Sequence, residues 1–311
     1  MGDMEHGTRI THYALHIRNQ ACMIAPNRFP WHVFGCTVAG ATHLRAGVPN
    51  QDAIDWVAAY DGERPLVALA LADGHGGPRY IRSDVGAQLA VRAARAILRD
   101  LGLEYYRTGA LANVKHLAEQ KLPSLLVRCW HQLVDAHLAA LPLTAHELEA
   151  LNDEARASLE TDPRIAYGAT VVAALVTTTF LLYVQLGDGD IVIVDEDGQS
   201  VRPPLPVDTR LFGDATTSLC MVDAWRFVRT YFQPLSDRPP ALVLLATDGY
   251  ANSFIGDGDF LQAAADIYTL VNQQPVDGTR LLRQQMPGWL RATSDQGSGD
   301  DISVGILYRQ P

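Results

Sequence analysis

The sequence contains few cysteines, and none of them has the spacing of a metal site. Cys22, Cys36, Cys129 and Cys220 are scattered along the chain, and no C-x-x-C pair occurs. This scarcity disfavours both a structural zinc site and a disulfide framework. Reduced thiols are typical of cytoplasmic proteins, so we expect a cytoplasmic location.

Long apolar runs and positive charge are also scarce. No stretch reaches the roughly 18 apolar residues of a membrane-spanning helix, and residues 1–20 have no apolar core of the signal-peptide type. The chain has 25 Lys and Arg against 35 Asp and Glu, a formal net charge of −10. We therefore expect neither nucleic acid nor a membrane surface as a partner.

Enough apolar residues are present for a large core, since they make up 48% of the 311 residues. Strand patterns come in adjacent runs, with helical patterns between them. Strands are predicted at 31–44, twice within 54–74, three times within 168–198, and at 241–249 and 302–308. Helices are predicted at 83–101, 109–140 (broken near Pro123), 144–160 and 259–291. This grouping predicts an antiparallel α+β fold rather than regular β-α alternation.

Local signals define the helix starts and the domain. Ser83 is the predicted N-cap of the first long helix, and Thr144 with Glu147 has the spacing of a capping box. Strands near both ends and the lack of a linker favour a single domain over 31–311, preceded by an irregular arm over 1–30. Residues 202–240 hold many prolines and polar residues and are predicted to form a long excursion.

Several aspartates stand where predicted strands begin or end. They are Asp52, Asp73, Asp188, Asp248, Asp300 and Asp301. Strand ends are rigid supports for ligands, and carboxylates and carbonyls are the hard oxygen ligands that Mg²⁺, Mn²⁺ and Ca²⁺ prefer. Two such ions can activate a shared water and hold a phosphoryl group. His75, two residues after Asp73, could then protonate a leaving oxygen.

Each element alone has a simpler interpretation. An Asp-Gly pair after a strand is most often only a turn, and a lone histidine such as His75 is most often a turn or surface residue. Asp188 and Asp190 resemble the start of a calcium loop, but Val192 stands where that loop needs Asp or Asn, so an EF-hand is excluded. No nucleotide-binding glycine loop, serine-hydrolase elbow or H-E-x-x-H motif occurs. The prediction therefore depends on the whole set.

Six segments in order resemble the metal-dependent protein phosphatases of type 2C, in a divergent branch of bacterial type. They are NQDA (50–53), ADGHGG (72–77), GATVVAALV (168–176), LGDGDIVIV (186–194), LATDGYANSF (245–254) and SGDDISVGIL (298–307). The segments span nearly the whole chain. The combination of DGHGG with TDG and DDIS is specific, whereas any one of them alone would be weak.

The resemblance implies a fold, a cofactor and an activity. The fold is a central β-sandwich of two antiparallel sheets, flanked by helices on both faces, with a flap at about 203–236. The cofactor is a pair of Mn²⁺ or Mg²⁺ ions, and the substrate is a phosphorylated protein, the target of a Ser/Thr kinase. In this mechanism a metal-bridging hydroxide attacks phosphorus directly and no phospho-enzyme forms.

Site residues follow from the same resemblance. Asp73 would bridge the two ions, Asp52 and the Gly74 carbonyl would bind one of them, and Asp248 and Asp300 would bind the other. His75 would act as the general acid.

The sequence also departs from the family pattern. Many relatives have Glu where this chain has Gln51, which supplies no negative charge, and many have a phosphate-binding Arg where this chain has Gly47. Arg45 is the predicted substitute, with Arg79 and Arg82 as open alternatives. No third-metal ligand is assigned, because Asp162 is the only nearby candidate before Gly168 and is out of register.

Two other functions remain open. The same fold could serve as a non-catalytic module that binds a kinase or a phosphoprotein, which the changes at Gly47 and Gln51 would suit. Retention of the acidic set and His75 argues against it, because a dead site has no need of them. An enzyme acting on a small phosphorylated metabolite would need the same metals, so only substrate profiling would separate it from a protein phosphatase.

Overall fold

The structure, a computed structural model, describes residues 30–210, 216–235, 239–273 and 275–310. The predicted N-terminal arm, apart from Pro30, and part of the predicted flap lie outside these residues. Within them, the chain forms two antiparallel sheets and helices, so the α+β prediction is confirmed.

Each sheet in the described residues has five strands. The first has the order β1 (Trp31–Val38), β10 (Ile302–Arg309), β9 (Leu242–Ala246), β6 (Asp190–Val194) and β7 (Val201–Arg202). The second has the order β2 (Ala53–Asp61), β3 (Arg64–Ala72), β4 (Val171–Val176), β5 (Phe180–Leu186) and β8 (Arg229–Pro234).

The helices lie in three groups along the chain. They are α1 (Ala41–Ala46), α2 (Ser83–Thr108), α3 (Leu111–Gln120), α4 (Leu122–Ala140), α5 (Ala145–Glu149), α6 (Asp153–Thr161), α7 (Asp248–Ala251), α8 (Asp257–Gln273) and α9 (Pro275–Gln296). Two short 3-10 helices cover Pro163–Tyr167 and Ala224–Arg226. Among the residues described, no helix combines the length and the apolar character needed to cross a membrane.

Three apolar clusters stack these elements into helix–sheet–sheet–helix layers. The middle cluster lies between the sheets and includes Leu69, Val172, Leu245 and Leu307, all at most 1% exposed. A second cluster joins α2 and α4 to the outer face of the β2–β8 sheet, and a third joins α8 and α9 to the outer face of the other sheet. Because both faces of each sheet are covered, the strands are almost continuously apolar, as in β3.

Most predicted elements are present with shifted ends. β2 and β3 form the predicted hairpin, in which Gly62 has φ 62°. The predicted helix over 109–140 divides at Lys121, and the capping box of Thr144 and Glu147 is formed at α5. Ser83 is the first residue of α2 and not its N-cap, because its hydroxyl accepts a hydrogen bond from the Gln51 side chain instead.

Two predictions of secondary structure were wrong. Residues 41–44 belong to helix α1 and not to a strand; tertiary contacts hold this helix, since the Ala41 amide donates to the Ser294 hydroxyl (3.0 Å). The excursion over 202–240 contains strand β8, which pairs with β5 and stacks Phe232 on Phe180 at 4.7 Å between ring centroids. A strand that is specified by its partner's side chains leaves a weak local signal.

Candidate metal centre

Gly74 brings the loop after β3 against the chain just before β2. Its amide donates to the Gln51 carbonyl at 3.1 Å. A Cβ at this position would lie 2.5 Å from the Ser83 carbonyl oxygen and 2.7 Å from that of Gln51. Only glycine fits this approach, which holds Asp73 beside Asp52.

The other side of the loop is fixed by the segment before β4. The Asp73 amide donates to Thr170 Oγ1 at 3.1 Å, and the Thr170 amide donates to the Asp73 carbonyl at 2.8 Å. The His75 amide donates to the Gly168 carbonyl at 3.1 Å. The backbone from Asp73 to His75 is therefore held on both sides.

Three carboxylates converge at the ends of β3, β5 and β9. Side-chain oxygens of Asp73, Asp188 and Asp248 all lie within 4.8 Å of one another. Asp188 follows Gly187, whose φ of 99° turns the chain from β5 into β6. Its Oδ1 atom is buried without a hydrogen-bond partner in the described part of the chain, although buried acceptors are normally satisfied.

Asp52 lies in the interior next to this group. Its side chain is 7% exposed, and its Oδ2 accepts a hydrogen bond of 2.7 Å from the Thr247 hydroxyl. Burial raises the pKa of Asp52 well above the usual range, and the charges of Asp301 and Asp248 raise it further. The Thr247 hydrogen bond offsets part of this shift, since it favours the ionised form.

Repulsion within the acidic set shows in the other pKa values too. The pKa of Asp73 is raised well above its ordinary value, first by burial and then by the charges of Asp52, Asp248, Asp300 and Asp188. Burial and the charges of Asp188 and Asp300 raise the pKa of Asp248 to about 6. Such a set is stable only when protons or cations neutralise it. Its hard oxygen donors, one of them without a partner, fit divalent ions such as Mg²⁺ and Mn²⁺.

The paired aspartates before β10 have different surroundings. Asp300 is half-exposed, with its Oδ1 4.0 Å from His43 Nε2, whereas Asp301 is buried. Asp301 accepts 2.6 Å hydrogen bonds from the Gly40 and Gln51 amides and lies 2.9 Å from His43 Nδ1. Asp300 thus remains available for a cation, while Asp301 fastens the segment that leads to Asp52.

His75 follows Asp73 by two residues, and its ring centroid lies 4.8 Å from that of Tyr80. Burial, and then the charge of Arg79, lower its pKa to about 4. The imidazole is therefore neutral near pH 7 in the absence of ligands.

The three arginines considered for phosphate binding differ in their contacts. Arg45 is exposed, donates to Thr42 Oγ1 at 3.3 Å and lies 3.9 Å from Asp295, so its role in phosphate binding stays a prediction. Arg79 contacts Tyr80 beside His75.

The Arg82 guanidinium is already hydrogen-bonded to other groups of the protein. It forms two hydrogen bonds with Glu147, at 2.7 and 2.9 Å. Further bonds go to the Tyr167 hydroxyl and to the carbonyls of Leu141 and Pro142. It is a structural residue and not a free phosphate ligand.

Two other residues of the sequence prediction have structural roles. The Gln51 side chain donates to Ser83 Oγ at 2.9 Å, so it links the Asp52 segment to α2. Asp162 accepts from the Arg164 amide at 3.0 Å and caps a 3-10 helix, outside the groups of acidic residues that could hold an ion.

Sequence reasoning left Asp188 out of the assigned ligands, although it noted its position after β5. Its neighbour Asp190 is affected by the same field: burial and the charges of Asp248 and Asp188 raise its pKa to about 7. Asp188 lies in the connection between β5 and β6, which belong to different sheets, and Asp190 is the first residue of β6. This arrangement is unlike the helix-flanked loop of an EF-hand. The signal that would have found Asp188 is its place at a strand end.

Comparison with known proteins gives a family match over most of the chain. The family described as Protein phosphatase 2C matches residues 39–291. A search for relatives among curated proteins finds no match.

Solved structures share the fold at low identity. A Mycobacterium tuberculosis serine/threonine phosphatase, PstP/Ppp, has a TM-score of 0.51 and 17% identity, covering 90% of this chain and 99% of its own. A C. elegans sex determining protein has a TM-score of 0.51 and 19% identity, covering 90% of this chain and 65% of its own. At these identities the similarity shows the fold, including the predicted sandwich of two sheets. The family match identifies the protein: it belongs to the protein phosphatase 2C family of serine/threonine phosphatases.

Proposed function

We propose that this protein is a metal-dependent phosphatase of phosphoserine and phosphothreonine in proteins. One observation carries the proposal. Carboxylates from three separate strand ends lie within 4.8 Å of one another, and Asp188 Oδ1 among them is buried without a partner in the described residues. Such a site requires cations, and a pair of divalent ions suits phosphate ester hydrolysis.

The proposed ligands are those that the resemblance of the sequence to the family implies. Asp73 would be shared by two Mn²⁺ or Mg²⁺ ions, with Asp52 and the Gly74 carbonyl on one ion and Asp248 and Asp300 on the other. Asp188 is a further candidate, because its carboxylate lies within the same group as Asp73 and Asp248. When bound, the ions would make water nucleophilic near neutral pH and neutralise charge on the phosphoryl oxygens.

His75 would supply the proton for the leaving serine or threonine oxygen. Its pKa of about 4 applies to the protein without ligands. A phosphate dianion next to the ring favours the imidazolium and raises this pKa, so substrate binding itself prepares the acid. The phosphoryl group would pass directly to water, and no side chain would be phosphorylated.

The substrate is proposed to be a protein phosphorylated by a Ser/Thr kinase, and the location to be the cytoplasm. The first rests on the family, the second on the reduced cysteines predicted from the sequence. Hydrolysis of small phosphorylated metabolites is the competing activity. A panel of phosphoserine and phosphothreonine peptides, assayed beside sugar and nucleotide phosphates, distinguishes them by kcat/KM.

The first experiment is hydrolysis of p-nitrophenyl phosphate with Mn²⁺, with Mg²⁺ and with EDTA. Wild type is compared with Asp73→Ala and with Asp153→Asn, a control on the fully exposed start of α6. We expect metal-dependent turnover in the wild type and the control and its loss in Asp73→Ala. Folded protein that binds metal but hydrolyses neither this ester nor a phosphopeptide would contradict the proposal.

That contrary outcome would favour the non-catalytic binding module. The observation that supports the binding module concerns Gln51. Its side-chain amide donates to Ser83 and brings no charge to the metal centre. In that case Gln51→Glu is the variant in which to look for hydrolysis.

A further inference from the structure

The metal centre brings several negative charges close together. The site includes the carboxylates of Asp52, Asp73, Asp188 and Asp248. After burial, repulsion between such charges contributes to the raised pKa values of Asp52, Asp73 and Asp248. A phosphate dianion therefore needs a cationic side chain as well as the ions. An arginine suits this purpose best, because its planar fork donates two parallel hydrogen bonds to phosphate oxygens.

Arg79 lies one aromatic ring away from His75. Its guanidinium carbon is 4.9 Å from the centroid of the Tyr80 ring, and its Nη2 donates to the Tyr80 hydroxyl at 2.8 Å. The same Tyr80 ring contacts His75 at 4.8 Å between centroids. The Tyr80 ring therefore contacts both the His75 ring and the Arg79 guanidinium.

The short turn that carries Arg79 is fixed at both ends. The Tyr80 amide donates to the Gly77 carbonyl at 2.9 Å, and the Arg82 amide donates to the Ala166 carbonyl at 2.8 Å. Stacking on an aromatic face holds a guanidinium with little loss of its hydrogen-bonding donors. The position of the Arg79 charge is therefore set before any ligand binds.

Arg79 is also available to a ligand. It is exposed, and in the described ranges no carboxylate forms an ion pair with it. The charge of Arg79 acts to lower the pKa of His75 on one side and that of Cys220, in the predicted flap, on the other. By contrast, Arg82 is bound to Glu147, and Arg45 lies on α1 near Asp295.

We propose that Arg79, supported by the Tyr80 ring, binds the phosphate group of the substrate next to His75. This proposal rests on the proposed phosphatase function, and it takes the place of Arg45 in the sequence prediction. It also explains how the chain manages with Gly47 where many relatives have an arginine.

The direct test is the binding of inorganic phosphate to Mg²⁺-loaded protein by isothermal titration calorimetry. We expect Arg79→Ala to weaken binding about tenfold or more, the size of a lost charge-assisted contact. Arg79→Lys should recover part of the affinity, because it keeps the charge and loses the fork. Arg45→Ala is the matched control and should change the Kd less than about twofold. Unchanged melting temperatures exclude misfolding as the cause.

Kinetics with p-nitrophenyl phosphate provide the second measurement. Arg79→Ala should raise KM and the inhibition constant of inorganic phosphate together, and lower kcat less. Phosphate affinity that is unaffected by Arg79→Ala, or that falls in Arg45→Ala instead, overturns the proposal, as does a wild type that binds no phosphate. A wild type that binds phosphate through Arg79 but hydrolyses nothing would refute the phosphatase function alone.

Discussion

Three aspartates of the metal centre, Asp52, Asp73 and Asp248, are held where their charged forms are costly. Burial disfavours the ionised forms of Asp52 and Asp73, and the charges of neighbouring carboxylates disfavour them further. A hydrogen bond such as that from Thr247 to Asp52 offsets only part of this cost. The individual side chains are therefore placed for an added cation and not for the stability of the metal-free fold.

Asp188 gives the clearest test of this idea. Asp188→Asn keeps the shape but removes one charge from the group with Asp73 and Asp248. We expect Mn²⁺ affinity to fall about tenfold or more, which is the scale of effects from residues around a metal. Without metal, the same change should stabilise the protein by on the order of 1 kcal/mol, because repulsion is relieved.

The Asp188→Asn result is specific because the variant should weaken Mn²⁺ binding and yet raise the free energy of unfolding of the metal-free protein. Calorimetry with Mn²⁺ and urea unfolding of the metal-stripped protein measure them separately. Asp153→Asn, in a fully exposed position, should change neither. An Asp188→Asn protein that binds Mn²⁺ as well as the wild type would remove Asp188 from the metal centre.

Gly74 is the second residue whose identity the site dictates. Gly74→Ala should destabilise the protein by about 1–3 kcal/mol, the usual cost of overpacking, since the new Cβ meets the backbone at Ser83 and Gln51. Gly288→Ala, on the exposed face of α9 with open space around it, should instead stabilise by about 0.5–1 kcal/mol. Urea unfolding of both variants is the measurement, and equal effects would show that the close approach at Gly74 is relieved easily.

The sequence predicts where these residues lie better than it predicts the role of each. The residues Asp52, Asp73, Asp248 and Asp300 are recognisable because each lies next to a strand pattern. Asp301 and Gln51 carry similar signals, yet Asp301 holds the backbone and the Gln51 side chain binds that of Ser83. Only the fold decides which neighbouring polar groups face the acidic set, so a linear pattern cannot separate ligands from supports.

At the scale of elements, strands and long helices follow from their patterns, and short or edge elements do not. The β2–β3 hairpin and α2 have strong periodic signals and were predicted. Helix α1 has six residues, too few for a period of 3.6 to be recognised. Edge strand β8 is half-exposed and ends in Pro234, so pairing with β5, and not its own sequence, specifies it.

Within the helical segment between β3 and β4, an ion pair connects the start of α2 to α5. Arg82, just before α2, bonds Glu147 of α5 in a bidentate manner, and the pKa of Glu147 falls to about 2, mainly because of the Arg82 hydrogen bond. A depressed carboxyl pKa contributes stability above its unfolded value of about 4.5, and this contribution is lost as the pH falls towards 2.

Glu147→Gln should therefore cost on the order of 1 kcal/mol at pH 7, a figure reduced for partial exposure of the pair. The difference from wild type should narrow below about pH 4.5. Urea unfolding at pH 7, 5 and 4 measures it, with Glu149→Gln on the exposed face of the same helix as the control. A constant difference at all three pH values would mean that packing, and not the charge of Glu147, holds α5.

At the scale of the whole molecule, the metal centre connects the two sheets. Asp73 and Asp188 extend from the ends of β3 and β5 in one sheet, and Asp248 and Asp300 flank β9 and β10 in the other. Ions bound between them would join layers that already meet through the apolar cluster of Leu69 and its neighbours and through hydrogen bonds such as that from Thr247 to Asp52. Metal binding should thus stabilise the entire fold, by about 2.7 kcal/mol when the free ion is at 100 times its Kd.

The same arrangement predicts an unusual dependence on pH. In the metal-free protein, the pKa of Asp190 is raised to about 7 and that of Asp248 to about 6, in both cases mainly by burial. A raised carboxyl pKa means that the folded state keeps its proton after the unfolded chain has lost it. Through these two groups, stability therefore falls as the pH rises from about 4 to about 7.

We expect metal-stripped protein to be less stable at pH 8 than at pH 5.5 by about 1–2 kcal/mol. With saturating Mn²⁺ the difference should shrink, because bound cations favour the ionised carboxylates. Urea unfolding at both pH values, with and without Mn²⁺, measures the four free energies. Asp248→Asn should weaken the pH dependence of the stripped protein and the stabilisation by Mn²⁺ together. Since one set of carboxylates causes both effects, a variant that lost only one of them would show that the acidic set and the metal centre are different sites.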